Sequence, residues 1–206
     1  MNVLLINGSP HKNGCTNAAL TEMAKVLNEA GIETTIFHIG SVPVGGCVGC
    51  GGCSKAGKCV FGGPVADVLP LVEKADGIVF GAPVHYATAA ASMLGFMHRL
   101  AISGGKYLRH KPAAVVTSAR RAGTTTALEA MEKVPQFFEM PLISSTYWPM
   151  VHGGKAEEVF SDEEGLQIMR NLGRNMAWML RCIEAGKAAG IAAPVAENDK
   201  RTNFIR

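Results

Sequence analysis

A chain of 206 residues with 48% hydrophobic content can bury one sizeable core and gives no reason to expect a second. Its 20 basic and 17 acidic residues leave a net charge of +3. That is too balanced to suit nucleic acid, an anionic membrane, or the strong negative field on which small acidic electron shuttles depend. No apolar run approaches the ~20 residues of a membrane helix, and Met1-Asn2 passes straight into a strand-length run with no signal-like pattern. The expectation is a cytoplasmic protein without nucleic-acid or membrane partners.

Short apolar runs alternate with helical patterns. Val3 to Ile6 is continuously apolar, as in a strand buried on both faces. Leu20, Met23, Ala24 and Leu27 recur at helical spacing, and Gly31 marks a stop. Glu33 to Ile39 predicts a second strand, Val65 to Ala75 a helix, and Gly77 to Gly81 a third strand. Ala87 to Ile102 predicts a helix with Met93, Phe96, Met97 and Leu100 on one face. A fourth strand is expected at Pro112 to Ser118, a helix at Thr124 to Val134, and a fifth strand at Pro141 to Ser145. Asp162 is placed to cap a long last helix reaching Ala185. The expected division is one domain over 1–186 and an arm or tail over 187–206. Strands alternating with helices predict an α/β fold on a parallel sheet. In such sheets ligands bind beyond the carboxyl ends of the strands, where strand order reverses.

The polar and glycine-rich segments lie after the predicted strands. Asn7 to Asn17 offers hydroxyls at Ser9 and Thr16 and an amide at Asn17, ahead of a helix N-terminus where free N–H groups bind anions. It has neither a Gly-Lys-Ser/Thr ending nor a G-x-G-x-x-G pattern. A polar turn capped by Thr16 is the plainer reading. Ala82 to Ala87 follows the third strand. Ser118 to Thr124 follows the fourth and includes Arg120 and Arg121, a fork for a phosphate or a pair of solvated charges. Trp148 suits either an apolar wall for a substrate or core packing.

Four of the six cysteines fall between residues 47 and 59. Cys47, Cys50, Cys53 and Cys59 are spaced C-x2-C-x2-C-x5-C, and seven of the nine residues between them are Gly, Ala, Ser or Val. Such small residues let a backbone wrap a compact ligand. Four thiolates ~4 Å apart repel by about 4 kcal/mol per pair at an effective dielectric near 20, so they must be protonated, oxidised or neutralised by metal. An iron–sulfur cluster, tetrahedral zinc and free redox-active thiols all satisfy that condition. Cys15 and Cys182, outside the run, are expected to pack rather than ligate.

These segments carry a resemblance. Gly8-Ser9-Pro10 with Thr16-Asn17 resembles the FMN phosphate loop of the flavodoxin-like NAD(P)H-dependent FMN reductases, and element order extends the likeness over roughly residues 1–150. Gly81 to Tyr86 is similar to the family's P-V-Y loop along the isoalloxazine ring, with His85 where Tyr is frequent. Phe96-Met97-His98-Arg99 is similar to the family's F-x-D-R; Arg99 matches and His98 replaces the acid. The cysteine run resembles that of the iron–sulfur flavoproteins, relatives in which four thiolates hold a [4Fe–4S] cluster. An acidic pair is frequent after their last cysteine; Phe61-Gly62-Gly63-Pro64 stands here instead.

The resemblance implies a flavodoxin-like three-layer sandwich on a five-stranded parallel sheet of order 2-1-3-4-5. It implies FMN held by Ser9, Pro10, His11, Thr16, Asn17, Pro83, Val84, His85, Tyr86, Ser118, Ala119, Arg120, Gly123 and Thr124. NAD(P)H would be co-substrate and Cys47, Cys50, Cys53 and Cys59 the metal ligands. The implied activity is electron transfer from NAD(P)H to free flavin, a quinone or another small molecule, or to a redox protein, in a homodimer or homotetramer. Hydride transfer needs no acid or base side chain, so no catalytic residue is assigned. Two other readings stay open: an iron–sulfur flavoprotein carrying electrons without a small-molecule substrate, and a thiol-based redox sensor.

Overall fold

The computed structural model describes residues 1–204. β1 (Asn2–Asn7) is the apolar run expected at the start, and it lies between two parallel partners, β2 (Glu33–His38) and β3 (Gly77–His85). β5 (Ala113–Ala119) pairs in parallel with β3, and β6 (Met150–His152) with β5. The short β4 (Thr88–Ala89) folds back antiparallel on β3. The parallel strands therefore run β2-β1-β3-β5-β6, which is the expected 2-1-3-4-5 order. Each parallel step needs a crossover, and helices supply them.

Side chains along a strand alternate between faces, and the strands here are apolar on both. Val3, Leu5, Val79, Ala114 and Val116 join the core beneath α1 (Cys15–Glu29), α6 (Ala156–Val159) and α7 (Glu163–Ala188). Leu4, Ile6, Ile78, Phe80, Ala113 and Val115 join the core beneath α3 (Pro64–Lys74), α4 (Ala91–Gly104) and α5 (Thr124–Phe137). Asp162 caps α7 as expected, accepting from the Gly165 N–H at 2.9 Å. Lys111 closes the other end of α3: its Nζ donates to the Val72 and Glu73 carbonyls at 2.7 and 3.0 Å. Burial there pushes the Lys111 ammonium below the usual lysine range. Among the described residues no helix is long and apolar enough to cross a membrane.

Five expectations need correction. The fifth strand is not at 141–145, where only an isolated bridge joins Leu142 to Ala113. The chain then loops out and re-pairs at Met150–His152. Pro141 and Pro149 have no N–H for a ladder, and their carbonyls instead accept from Ala113 and Thr117 at 2.9 and 3.0 Å. The helix expected from Ala87 starts at Ala91, because Tyr86 and Ala87 adopt left-handed φ of 49° and 60° and turn the chain back into β4. The third strand correspondingly runs on to His85. The cysteine segment is not all loop: α2 (Gly52–Ala56) is a short helix within it. α7 also continues to Ala188, one turn beyond the expected end.

Phe80 has no exposed surface and sits in the sheet's centre. Phe80→Ala should cost about 3–5 kcal/mol, read as a lower urea midpoint with an unchanged denaturant slope.

Candidate functional site: a cavity at the strand reversal and a four-cysteine cavity

Strand order reverses between β1 and β3, so their carboxyl ends flank an open crevice. The loop from β1 into α1 is shaped by side chains bonded to backbone. Asn7 is fully buried; its Oδ1 accepts from the Ser9 N–H at 3.0 Å, and its Nδ2 donates to the Lys12 carbonyl at 3.0 Å. The His11 N–H donates to Ser9 Oγ at 3.1 Å. His38, at the end of β2, donates from Nε2 to the Ser9 carbonyl at 2.8 Å, which fixes its tautomer. No side chain caps α1, leaving its first N–H groups free for an anion.

Above this loop lies a cavity of about 830 Å³. Of the predicted residues, Ser9, Pro10, His11, Thr16, Pro83, Val84, His85, Ser118, Ala119 and Arg120 line it. Thr16 Oγ1 and Ser118 Oγ are 2.8 Å apart and buried, which ties the start of α1 to the carboxyl end of β5. Asn17, Tyr86, Gly123 and Thr124 do not line it. Tyr86 is wholly exposed at the tip of the β3–β4 turn. Gly123 acts indirectly: at φ 94°, a Cβ there would come within 2.6 Å of Ala87 Cα. Only glycine lets this loop support the turn that presents His85.

The residues missed are Lys12, Asn13, Gly14, Cys15 and the segment Gly153 to Glu157 after β6. Gly153-Gly154-Lys155 is a post-strand loop, and misplacing the last strand hid it. Cys15 Sγ donates to the Gly153 carbonyl at 3.4 Å, linking the two segments. Burial lifts the Cys15 thiol above its ordinary range, opposed by its own backbone hydrogen bond and reinforced by Glu158 and Glu157. Trp148 is neither core nor part of this cavity. It is exposed, stacks edge-on against Tyr147, and lines a separate cavity of about 510 Å³ where the chain loops out.

The cysteine segment docks on α4. Gly95 has no room for a side chain, since a Cβ would meet the Val44 carbonyl at 2.6 Å. Beyond that contact, Cys47, Cys50, Cys53 and Cys59 all line one cavity of about 180 Å³, with Val48, Val60 and Phe61 among its apolar walls. Arg99 reaches this cavity from α4. Its Nε donates to Cys59 Sγ at 3.2 Å and its Nη2 to the Gly62 carbonyl at 2.8 Å. Among the described residues no three His, Cys, Asp or Glu side chains form a group that holds a single metal ion. Cys182 is exposed on α7, not packed as expected.

A sequence model of the NADPH-dependent FMN reductase family matches residues 1–155, three-quarters of the chain. The chain belongs to that family. It is 29% identical over 192 residues to an iron–sulfur flavoprotein of Methanocaldococcus jannaschii, covering 89% of this chain and all of the relative. An iron–sulfur flavoprotein of Archaeoglobus fulgidus is 26% identical over 87% of this chain and 97% of its own. Among solved structures, a flavodoxin, WrbA-like protein from Agrobacterium tumefaciens superposes with a TM-score of 0.64 at 14% identity, covering 88% of this chain and 98% of that one. The fold is flavodoxin-like, and the chain is an FMN-binding flavoprotein of the oxidoreductase class.

The crevice cavity suits that cofactor: its lining combines the start of α1 and the hydroxyls of Ser9, Thr16 and Ser118 with the apolar Pro83, Val84 and Ala119. Cofactor-free chain treated with iodoacetamide at neutral pH should be labelled first at the exposed Cys47, Cys50 and Cys182 and last at Cys15. Cys15 labelling should rise only as pH climbs past the ordinary thiol range near about 8.5. Peptide mass spectrometry reads the order; early labelling of Cys15 would contradict its burial.

Proposed function

We propose that this chain is an NAD(P)H-dependent oxidoreductase in which FMN occupies the crevice cavity and a [4Fe–4S] cluster occupies the four-cysteine cavity. The observation that carries the reading is the convergence of all four cysteines on one small cavity, separate from the crevice. Zinc held by four thiolates brings its sulfurs within about 3.8 Å of one another, given Zn–S bonds near about 2.3 Å. A cubane cluster binds each thiolate to a different iron, so its ligands stand further apart. All four thiols line one cavity, and their C-x2-C-x2-C-x5-C spacing resembles that of the iron–sulfur flavoproteins, which supports the cluster. The two curated relatives named above are themselves called iron–sulfur flavoproteins.

Bound FMN would supply hydride acceptance and release of single electrons. The chain's own groups bind and orient it. Ser9, Thr16 and the first N–H groups of α1 hold the phosphate; Ser118 orients Thr16 through their shared hydrogen bond. Lys12, Arg120 and Lys155 outnumber Glu157 on the cavity lining, and that positive balance draws in a phosphorylated nicotinamide donor. Pro83, Val84 and His85 lie where they can border the ring, held by the β3–β4 turn. The electron acceptor is a small molecule or a redox protein, and the working form is a homodimer or homotetramer.

NADPH added anaerobically to FMN-loaded protein should bleach the flavin absorbance in a rapid, saturable reaction. Thr16→Val should weaken FMN binding about tenfold to a hundredfold, the worth of one hydrogen bond to a charged phosphate at ~1.5–3 kcal/mol, as read by fluorescence titration. A flavin that binds but is not bleached by either NADPH or NADH would refute the donor assignment.

A further inference from the structure

Arg99 sits where the cysteine cavity meets α4, outside the FMN cavity. Among the described residues it is the one charged side chain on the cysteine cavity's wall. It forms no ion pair among them, and the neighbouring position, Asp in the family pattern, is the exposed His98. Its two hydrogen bonds go instead to Cys59 Sγ and to the Gly62 carbonyl just beyond that cysteine. Cys47 Sγ, by comparison, accepts from the Gly49 N–H of its own loop at 3.4 Å. One cysteine of four is thus gripped by a half-buried cation from a rigid helix.

We infer that Arg99 is a positioning residue that holds Cys59 as the fourth ligand and raises the reduction potential of the cluster, an inference that rests on reading this cavity as a cluster site. A cluster held by four thiolates is anionic, and it gains one further negative charge when it takes up one electron; no bond is made or broken. A cation and an N–H donor on a ligand sulfur stabilise the more negative state, which moves the potential upward. The same fork bonds the backbone at Gly62, so the helix sets the position of Cys59 as well as its electronics. Arg99→Lys keeps the charge but not the fork, and Arg99→Gln removes the charge.

The test uses full-length protein, wild type, R99Q and R99K, reconstituted anaerobically with ferrous iron and sulfide. Iron per chain is measured first, then the cluster's midpoint by dithionite titration followed by EPR, with the flavin midpoint as internal reference. R99Q should bind iron but show at least a tenfold loss in the reduction equilibrium, about 59 mV downward for a one-electron couple. R99K should fall between R99Q and wild type, and the flavin midpoint should stay put. If R99Q takes up no iron, R99K decides: a lowered midpoint upholds the inference and a wild-type midpoint overturns it. Iron-loaded variants with wild-type midpoints overturn the inference alone. Loss of the cluster from both variants overturns the tuning role in favour of a purely structural one. Wild-type protein that takes up no iron overturns the cluster reading and the inference together.

Discussion

The reversal of strand order at β1 is the constraint on which the functional architecture depends. Because β2 and β3 pair on opposite sides of β1, the connections leaving β1 and β3 diverge, and no crossover roofs the gap between them. The loop that leaves the carboxyl end of β1 then has to be anchored without a crossover above it. The buried Asn7 amide does this, bonding both ends of the following loop, while Gly8 donates to the Gly81 carbonyl of β3 at 2.7 Å. That loop therefore arrives at α1 already shaped, with free N–H groups facing the crevice. Little rearrangement is needed to bind an anion, and preorganisation of this kind improves affinity by cutting ordering costs.

The cysteine site depends on a different surface. It is carried by the connection after β2 and anchored to α4, where Gly95 admits the backbone and Arg99 reaches Cys59. α4 follows directly on the β3–β4 turn, whose strand carries Pro83, Val84 and His85 to the crevice. One helix thus connects the mounting of both sites. The turn itself holds two non-glycine residues at positive φ, a cost of order 1–3 kcal/mol each, offset by β3–β4 pairing and by close support from Gly123.

Much of this was legible from residue order. Continuous apolar runs such as Val3–Ile6 mark strands buried on both faces, and the parallel order followed from their alternation with helices. Ser9 and Thr16 could be singled out because they follow a correctly placed strand, and Pro83 and Ser118 because they fall at the carboxyl ends of β3 and β5. Lys155 could not. Leu142 and Ile143 present a convincing apolar pair, yet they support a single bridge, while the true edge strand is three residues long. Tyr86 was named from the family resemblance; local sequence carries no sign of the left-handed turn at two ordinary residues that leaves its side chain exposed. The Arg99–Cys59 contact spans 40 positions, and only packing of the cysteine segment on α4 creates it.

In the proposed function, FMN and a [4Fe–4S] cluster occupy two separate cavities of one chain. The most direct test of that occupancy is quantitative analysis of FMN, iron and sulfide on a single sample purified and reconstituted anaerobically, alongside its absorption spectrum. One FMN and about four iron and four sulfide per chain are expected, with flavin bands riding on broad absorbance near about 400 nm from the thiolate-bound cluster. Flavin bands with no iron bound, or one zinc in its place, would contradict that occupancy.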